Sequence, residues 1–323
     1  MASVVRRTVK GKRYHYLEQN VRIGKRFKKF YQYLGQAKPA KRLLREAGKR
    51  LTQKVHSFYR HELIKPNTQF VDLSLAKSLE RIKQETAAFL DGLNERQKKA
   101  FIEREREKFI THTNAIEGST LTLEETHRIL RLRERLGSER ERLEVLNMEK
   151  CLHRYDELLK TAHPLNEDLV LQLHAILLNK IPDYDQFKGM WRPIRIKVRT
   201  SHYAFPHPLL VPSQMKEFLD WFNENTARIH PVELAAAFHC KLTTIHPFAD
   251  GNGRMARLLM NYLLQTSGFP FTNIPVEKRD EYFDTQEEGH QRNYGAFTLF
   301  LANQLKENYK TLKKNKEWGV DIT

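Results

Sequence analysis

The sequence predicts a mainly helical fold preceded by a basic segment of different character. Three observations carry this. Apolar residues recur at three- and four-residue spacings through most of the 323-residue chain. Period-two alternation is confined to two short stretches, within 13–34 and at 194–199. The charge is divided unevenly: residues 1–60 hold 18 Lys and Arg against 2 Asp and Glu, whereas the remainder holds 38 against 37, so nearly all of the net +17 belongs to the N-terminal segment. Hydrophobic residues make up 40%, enough for a sizeable core. No apolar run approaches the ~20 residues of a membrane span, and Met1–Arg13 lacks the apolar centre of a secretory signal. The two cysteines, Cys151 and Cys240, stand in apolar helical contexts and read as reduced core thiols, which implies a cytoplasmic location.

In residues 13–34 the strand formers Tyr14, Tyr16, Val21, Phe27, Tyr31 and Tyr33 flank Ile23-Gly24-Lys25, the pattern of a basic β-hairpin. From Pro39 to Arg60, Leu43, Leu44, Ala47, Leu51 and Val55 mark a helix with Lys and Arg on its other face. Clustered cations with interleaved aromatics suit phosphate contact and base stacking, so residues 1–60 are a candidate nucleic-acid arm. A solvated hairpin packed on the main body, or a protein-docking module, fits the same composition.

Residues 61–70, with Pro66 and Asn67, read as a linker, and the helix Leu73–Leu93, stopped by Asp91-Gly92, completes a connecting segment over 61–96. Glu95–Ile110 is a charged helix that runs into residues 111–118, where Gly118 supplies a stop. Thr122 with Glu125 forms a capping box for a helix from Leu123 to about Leu136. Gly137-Ser138 breaks it, and a longer helix covers Glu139–Leu159. Asn166–Leu178 is amphipathic and helical, and 182–188 is a polar loop. Ile194–Arg199 alternates apolar and basic residues, a short strand turned by Thr200-Ser201 and followed by extended chain at Pro206 and Pro208. Helices follow at Pro212–Asn225, at Val232–Ile245, from near Arg254 to about Gln265, and from about Lys278 to Tyr309; residues 311–323 read as a frayed tail.

The richest chemistry lies in His246-Pro-Phe-Ala-Asp-Gly-Asn-Gly-Arg-Met-Ala-Arg257, set between two apolar helical stretches. A Gly251-Asn252-Gly253 turn at a helix N-terminus exposes backbone N–H groups to an anion, and the helix dipole adds to their pull. Asn252 can add a side-chain donor. Arg254 and Arg257, three residues apart, can clamp further phosphate oxygens. Asp250 is a hard oxygen ligand of the kind Mg²⁺ takes alongside phosphates and water. His246 is a base with an unperturbed pKa near ~6.5. Singly, each has a plainer reading: a core or capping histidine, an ordinary Gly-x-Gly turn. The spacings of His246, His239 and His230 match no transition-metal motif.

The whole string His246-Pro-Phe-x-x-Gly251-Asn-Gly-Arg-x-x-Arg257 resembles the signature of the Fic family, whose members transfer AMP from ATP to protein hydroxyls. The resemblance extends over roughly Gln97–Leu305 and implies a Fic-type helical domain at 97–310 with a small β-hairpin flap. It implies His246 as the base, Asp250 as the Mg²⁺ ligand, and Gly251, Asn252, Gly253, Arg254 and Arg257 as the phosphate site of ATP. Tyr282 and Phe283 fall at the adenine positions, with His290 where an asparagine is common. The flap, Ile194, Ile196, Lys197, Val198 and Arg199 with Tyr203 as a clamp, would pair with a target strand and register its Ser, Thr or Tyr hydroxyl. Thr113-x-x-x-Glu117-Gly118 is similar to the inhibitory motif of the family, at 113–118: Glu117 would hold Arg257 away from the γ-phosphate. The expectation is an autoinhibited protein adenylyltransferase that also labels itself, with removal of AMP as a further activity of the inhibited form. A nucleic-acid-associated regulator, or transfer of a different nucleotide, are the alternatives. Expected partners are a target protein and, through residues 1–60, nucleic acid; no membrane is implied, and a homodimer stays open.

Overall fold

The computed structural model describes residues 3–9, 11–23, 26–63, 69–161, 164–198 and 201–317. Two compact units are present, Met1–Thr68 with Glu224–His230, and Gln69–Asn223 with Pro231–Thr323.

The first unit is a three-stranded antiparallel sheet, β1 (Ser3–Val9), β2 (Lys12–Ile23) and β3 (Arg26–Gly35), followed by α1 (Lys41–Leu63). The hairpin β2–β3 is the expected one; its turn residues Gly24 and Lys25 lie outside the described residues. β1 is an addition, paired so that Val5 faces Tyr16 and Arg7 faces Tyr14. Leu17 and Leu34 point to one face of the sheet and are buried with Ala47 and Leu51 of α1, with Phe30 and Leu44 packed against them. The strand period and the helix period thus meet in one small core.

The second unit is helical. Its elements are α2 (Leu73–Asp91), α3 (Glu95–Ile116), α4 (Leu123–Leu132), α5 (Glu139–Thr161), α6 (Glu167–Leu177), α7 (Val211–Asn225), α8 (Pro231–Ile245), α9 (Asn252–Thr266), α10 (Arg279–His290) and α11 (Tyr294–Glu317). At the centre lie α8 and α9, both buried almost all round; α8 is largely apolar, whereas α9 buries Asn252, Arg254, Arg257 and Asn261 among its apolar residues. α10 and α11 pack on α8, α5 packs on α3, α4, α6 and α9, and α2 packs on α11. The buried Glu233 carboxylate accepts from Gln69 N (3.0 Å) and Phe70 N (3.3 Å), which fixes the chain entering α2. Capping boxes start α3 (Asn94 with Gln97) and α4 (Thr122 with Glu125). Among the described residues no helix is long and apolar enough to cross a membrane.

Four expectations are corrected. α4 ends at Leu132, where Arg133 takes a left-handed conformation (φ 58°) and its N–H bonds back to Arg128 O. The last helical region is two helices, broken at Gln291-Arg292-Asn293 with Arg292 at φ 68°; α11 then continues through Tyr309 to Glu317, so much of the expected tail is helix. Helix α9 begins at Asn252 rather than near Arg254. The described residues 191–198 and 201–207 form no strand. Pro193, Pro206 and Pro208 cannot donate to a ladder, and the Arg192 guanidinium ties the two limbs instead, donating to Ile194 O (2.9 Å) and Pro206 O (2.6 Å). A turn remains, Ser201 N to Val198 O at 3.3 Å.

Gly289 lets α10 approach α8 closely: a Cβ there would stand 2.7 Å from Cys240 Sγ. Gly289→Ala should therefore lower stability by about 1–3 kcal/mol. Urea unfolding should show part of the loss recovered in the Gly289→Ala/Cys240→Ala double variant; strict additivity would contradict this contact.

Candidate active site

α8 closes with the bond from His246 N to Leu242 O (2.8 Å). His246 then takes φ 51°, a left-handed conformation uncommon for a residue other than glycine, and the chain turns sharply into Pro247. The turn is held from several sides. Phe248 is fully buried and stacks on His174, ring centroids 3.6 Å apart. Asn252 reaches back across the turn, accepting from Phe248 N and donating to Phe248 O, both at 2.9 Å. Asn252 is thus buried and committed to the turn, which corrects the expectation that its side chain donates to a bound anion. Gly251 takes φ 81° and caps α9. The first-turn N–H groups of α9 have no intrahelical acceptors, so the turn keeps its anion-binding character through the backbone.

Buried Arg192, two per cent exposed, is the main fastener of the base. Its Nε donates to His246 O (2.7 Å), and its own N–H donates to Pro247 O (2.8 Å). The His246 ring leans on Phe205, and its Nδ1 lies 3.2 Å from Thr243 O. A carbonyl only accepts, so Nδ1 carries the proton and Nε2 is left as the basic nitrogen. Burial, reinforced by the Arg192 charge and opposed by the Thr243 carbonyl, pushes the imidazole down to about 4. At neutral pH it is an uncharged base.

The two arginines of the turn go to different carboxylates. Arg254, one per cent exposed, pairs with Glu144 (3.1 Å) and Asp250 (3.2 Å). Arg140 of α5, itself half-exposed, also takes Asp250 Oδ2 at 2.8 Å. Asp250 Oδ1 accepts from Gly251 N (2.7 Å), and the Asp250 carbonyl meets His174 Nε2 (3.1 Å). Gly189 N donates to His174 Nδ1 (3.1 Å), so this histidine is the neutral Nε2–H tautomer; burial pushes it to about 4.

Arg257 makes the other set. Nε donates to Thr113 Oγ1 (2.8 Å), Nη2 to Thr113 O (2.9 Å) and to Glu117 Oε1 (2.7 Å), and Nη1 to Tyr282 OH (2.9 Å). The Tyr282 hydroxyl, accepting from arginine, passes its own proton bond to His239 Nε2 (3.0 Å). Glu117 is the C-cap of α3 and lies over the first turn of α9. A Cβ at Gly253 would come within 2.2 Å of Glu117 Oε1, so only glycine admits the carboxylate there.

An open cleft of about 740 Å³ joins these parts, lined among others by Glu117, His246, Gly253, Tyr282, Phe283 and His290. Arg279 lies over the Phe283 ring at 4.7 Å. Of the flap residues, Val198 lines the cleft, while Tyr203 stacks on His290 (4.9 Å). Ile194 is exposed, Ile196 and Lys197 do not line the cleft, and Arg199 lies outside the described residues. Sequence reasoning named His246, Asp250, the glycines, Arg257, Thr113 and Glu117, which do converge. It missed the roles of Arg140, Glu144 and His174, which sit far away in sequence on α5 and α6, and of His239 on α8, about two turns before His246. A helical domain holding a neutral histidine over a phosphate-type helix N-terminus defines a class of phosphate-handling enzyme site.

Comparison with known proteins places it more closely. Residues 164–264 match the Fic/DOC family, and the chain carries a domain of that family. It is 35% identical over 211 residues to "Protein adenylyltransferase fic-1" of Caenorhabditis elegans, covering 64% of this chain and 40% of that protein. It is 31% identical over 242 residues to "Protein adenylyltransferase Fic" of Nematostella vectensis, covering 70% and 56%. The chain therefore spans only about half the length of these relatives. A solved structure of C. elegans Fic-1 aligns with TM-score 0.67 at 27% identity over 87% of this chain and 79% of that one. A Fic-domain signalling protein of Bacteroides thetaiotaomicron, at 24% identity and TM-score 0.67, shares the fold.

His174 and His246 both titrate near 4 in the folded chain, below the ordinary 6.5, because burial disfavours their charged forms. The unfolded chain therefore binds more protons between those pH values. Stability they contribute is intact above 6.5 and is lost as pH falls toward 4, with a slope of about 1.4 kcal/mol per pH unit per histidine. Urea unfolding of His174→Asn across this window should show a shallower acid slope together with lower stability at neutral pH. An unchanged slope would remove His174 from the acid response.

Proposed function

We propose that this protein transfers AMP from ATP to a Ser, Thr or Tyr hydroxyl of a target protein, and to itself, and that Glu117 holds it inactive. The observation that carries the reading is the pairing of two things in one cleft. One is a neutral His246 with Nε2 basic; the other is the Glu117–Arg257 bond at 2.7 Å, beside the turn where phosphates would lie.

The chemistry follows from the parts. The target hydroxyl oxygen bonds to the α-phosphorus, the bond from that phosphorus to the bridging oxygen breaks, and pyrophosphate leaves. His246 Nε2 takes the hydroxyl proton. The backbone N–H groups at the start of α9 and the Arg254 and Arg257 guanidinium groups hold the charge that gathers on phosphate oxygens. Phe283, with Arg279 on its ring, forms an aromatic wall for the base, and Tyr282 holds Arg257 in place from behind. Val198, Ser201 and Phe205, which line the cleft, border the approach of the target. With Glu117 in place, Arg257 has a carboxylate partner already, and that carboxylate also repels a γ-phosphate.

Asp250 suits Mg²⁺, a cation that takes a carboxylate together with phosphate oxygens and water. The Mg²⁺ would be held by Asp250 and would supply charge to the leaving pyrophosphate. In this structure Asp250 Oδ2 already receives Arg140 and Arg254. Arg140 is the half-exposed member and is the one able to withdraw.

Incubation with labelled ATP and Mg²⁺ tests the reading. Glu117→Gly should raise self-labelling at least about tenfold, equivalent to ~1.4 kcal/mol, in the range of one partly exposed charge pair, and His246→Ala should abolish it in either background. Labelling by His246→Ala would refute the mechanism; equal labelling by the wild type and Glu117→Gly would refute the inhibition. In the Glu117→Gly background, Arg140→Ala should lower the Mg²⁺ concentration giving half-maximal rate, since one competitor for Asp250 is gone. An unchanged Mg²⁺ dependence would show that Arg140 does not compete.

A further inference from the structure

The three-stranded sheet of the first unit has one face covered by α1 and a second face of different composition. Alternation along β2 puts Lys12, Tyr14, Tyr16 and Glu18 on that second face. The register sets Tyr33 opposite Tyr16, Tyr31 opposite Glu18 and Lys29 opposite Asn20, and β1 adds Arg7 opposite Tyr14. Tyr33 touches both Tyr14 (5.9 Å) and Tyr16 (5.5 Å) and is still 52% exposed. Arg7 lies flat over Tyr31 at 3.8 Å. Glu18 bridges Arg7 (3.3 Å) and Lys29 (3.7 Å), one carboxylate shared by two cations, both half-exposed. The face is therefore an aromatic strip flanked by positive charge, in a segment with 18 basic and 2 acidic residues.

We propose that this face binds single-stranded nucleic acid, with bases stacked on Tyr33 and Tyr16 and the backbone held by Arg7, Lys12 and Lys29. Charge complementarity selects a polyanion. The rings select the kind: a duplex hides its base faces between its own pairs, whereas an unpaired strand offers them to a tyrosine. Sheet-borne aromatics serve this purpose because alternate residues present rings in a row along one face. The inference concerns this unit alone and does not rest on AMP transfer.

The test uses the full chain and a short labelled oligothymidylate, followed by fluorescence anisotropy over a salt series. Binding should weaken with salt, and Lys29→Gln or Arg7→Gln should each reduce the log–log slope by about 0.7. Tyr33→Ala should weaken binding about tenfold at unchanged slope, and Tyr33→Phe should retain it, since the ring rather than the hydroxyl stacks. Both tyrosine variants should keep the self-labelling level of the parent, which separates this outcome from a failure of the AMP-transfer reading. Three results would overturn the proposal: no binding at low salt, equal affinity for a duplex of the same length, or displacement by polyglutamate as effective as by unlabelled oligothymidylate. Unchanged affinity in Tyr33→Ala would do so as well.

Discussion

Burying a guanidinium without partners is among the costlier things a protein can do, and the second unit does it at Arg257. The surroundings are arranged to satisfy that one group. Thr113 supplies a hydroxyl and a carbonyl, Tyr282 a hydroxyl, and Glu117 the countercharge bonded to it among the described residues. Three helices far apart in sequence, α3, α9 and α10, are thereby registered on one side chain. Desolvation also sharpens the electrostatics: a charge pair in a cleft wall interacts more strongly than the same pair in water. On the proposed reading, the arginine that a phosphate would use is the one whose every guanidinium nitrogen the fold already engages.

Arg254 answers the same problem on the opposite side. It is as buried as Arg257 but faces α5, where Glu144 receives it together with Asp250 of the turn. The first turn of α9 thus directs one cation to each flank, and the N–H groups between them stay open toward the cleft. His246 completes the arrangement from the end of α8. Its position is set by main-chain contacts, through Arg192 to its carbonyl and Leu242 to its N–H, so the ring is placed by backbone rather than by loop packing. Neutral His174, wedged between Gly189 N and the Asp250 carbonyl, ties the same turn to α6.

Much of this was legible in the sequence, for identifiable reasons. Long periodic helices and their caps announced themselves: Asp91-Gly92, Thr122 with Glu125, and Pro231 at the first position of α8 all stand where local chemistry demands. The dense turn at 246–257 was legible because its residues act within a few positions of one another. Long-range features were not. β1 escaped because Ser3–Val9 pairs like with like (Val4-Val5, Arg6-Arg7) instead of alternating, although Gly11 at φ 76° marks the turn into β2. Residues 194–198 alternate like a strand, but alternation does not reveal that an arginine will capture the carbonyls a ladder would need. The break between α10 and α11 falls at Arg292, in a left-handed conformation that nothing in the residue type announces. Asn252 was assigned to a ligand because a side-chain amide in a glycine turn has two possible employers, and only geometry shows that Phe248 engages both its atoms.

Glu117 has one further consequence, which follows from where it is mounted. It is the cap residue of α3, its helix end pinned by Arg279 Nε to Ile116 O (2.9 Å), while its own side chain remains 35% exposed. Removing it from Arg257 needs rotation about a few side-chain bonds, and no turn of α3 has to unwind. Such rotations belong to the fast end of protein motion, nanoseconds rather than milliseconds. On the proposed reading, closed and open forms would therefore exchange by side-chain rotation alone. The closed population is set by the free energy of one ion pair, and any ligand favouring the open rotamer shifts it in proportion to that preference. On that reading, this geometry implies a basal turnover above zero.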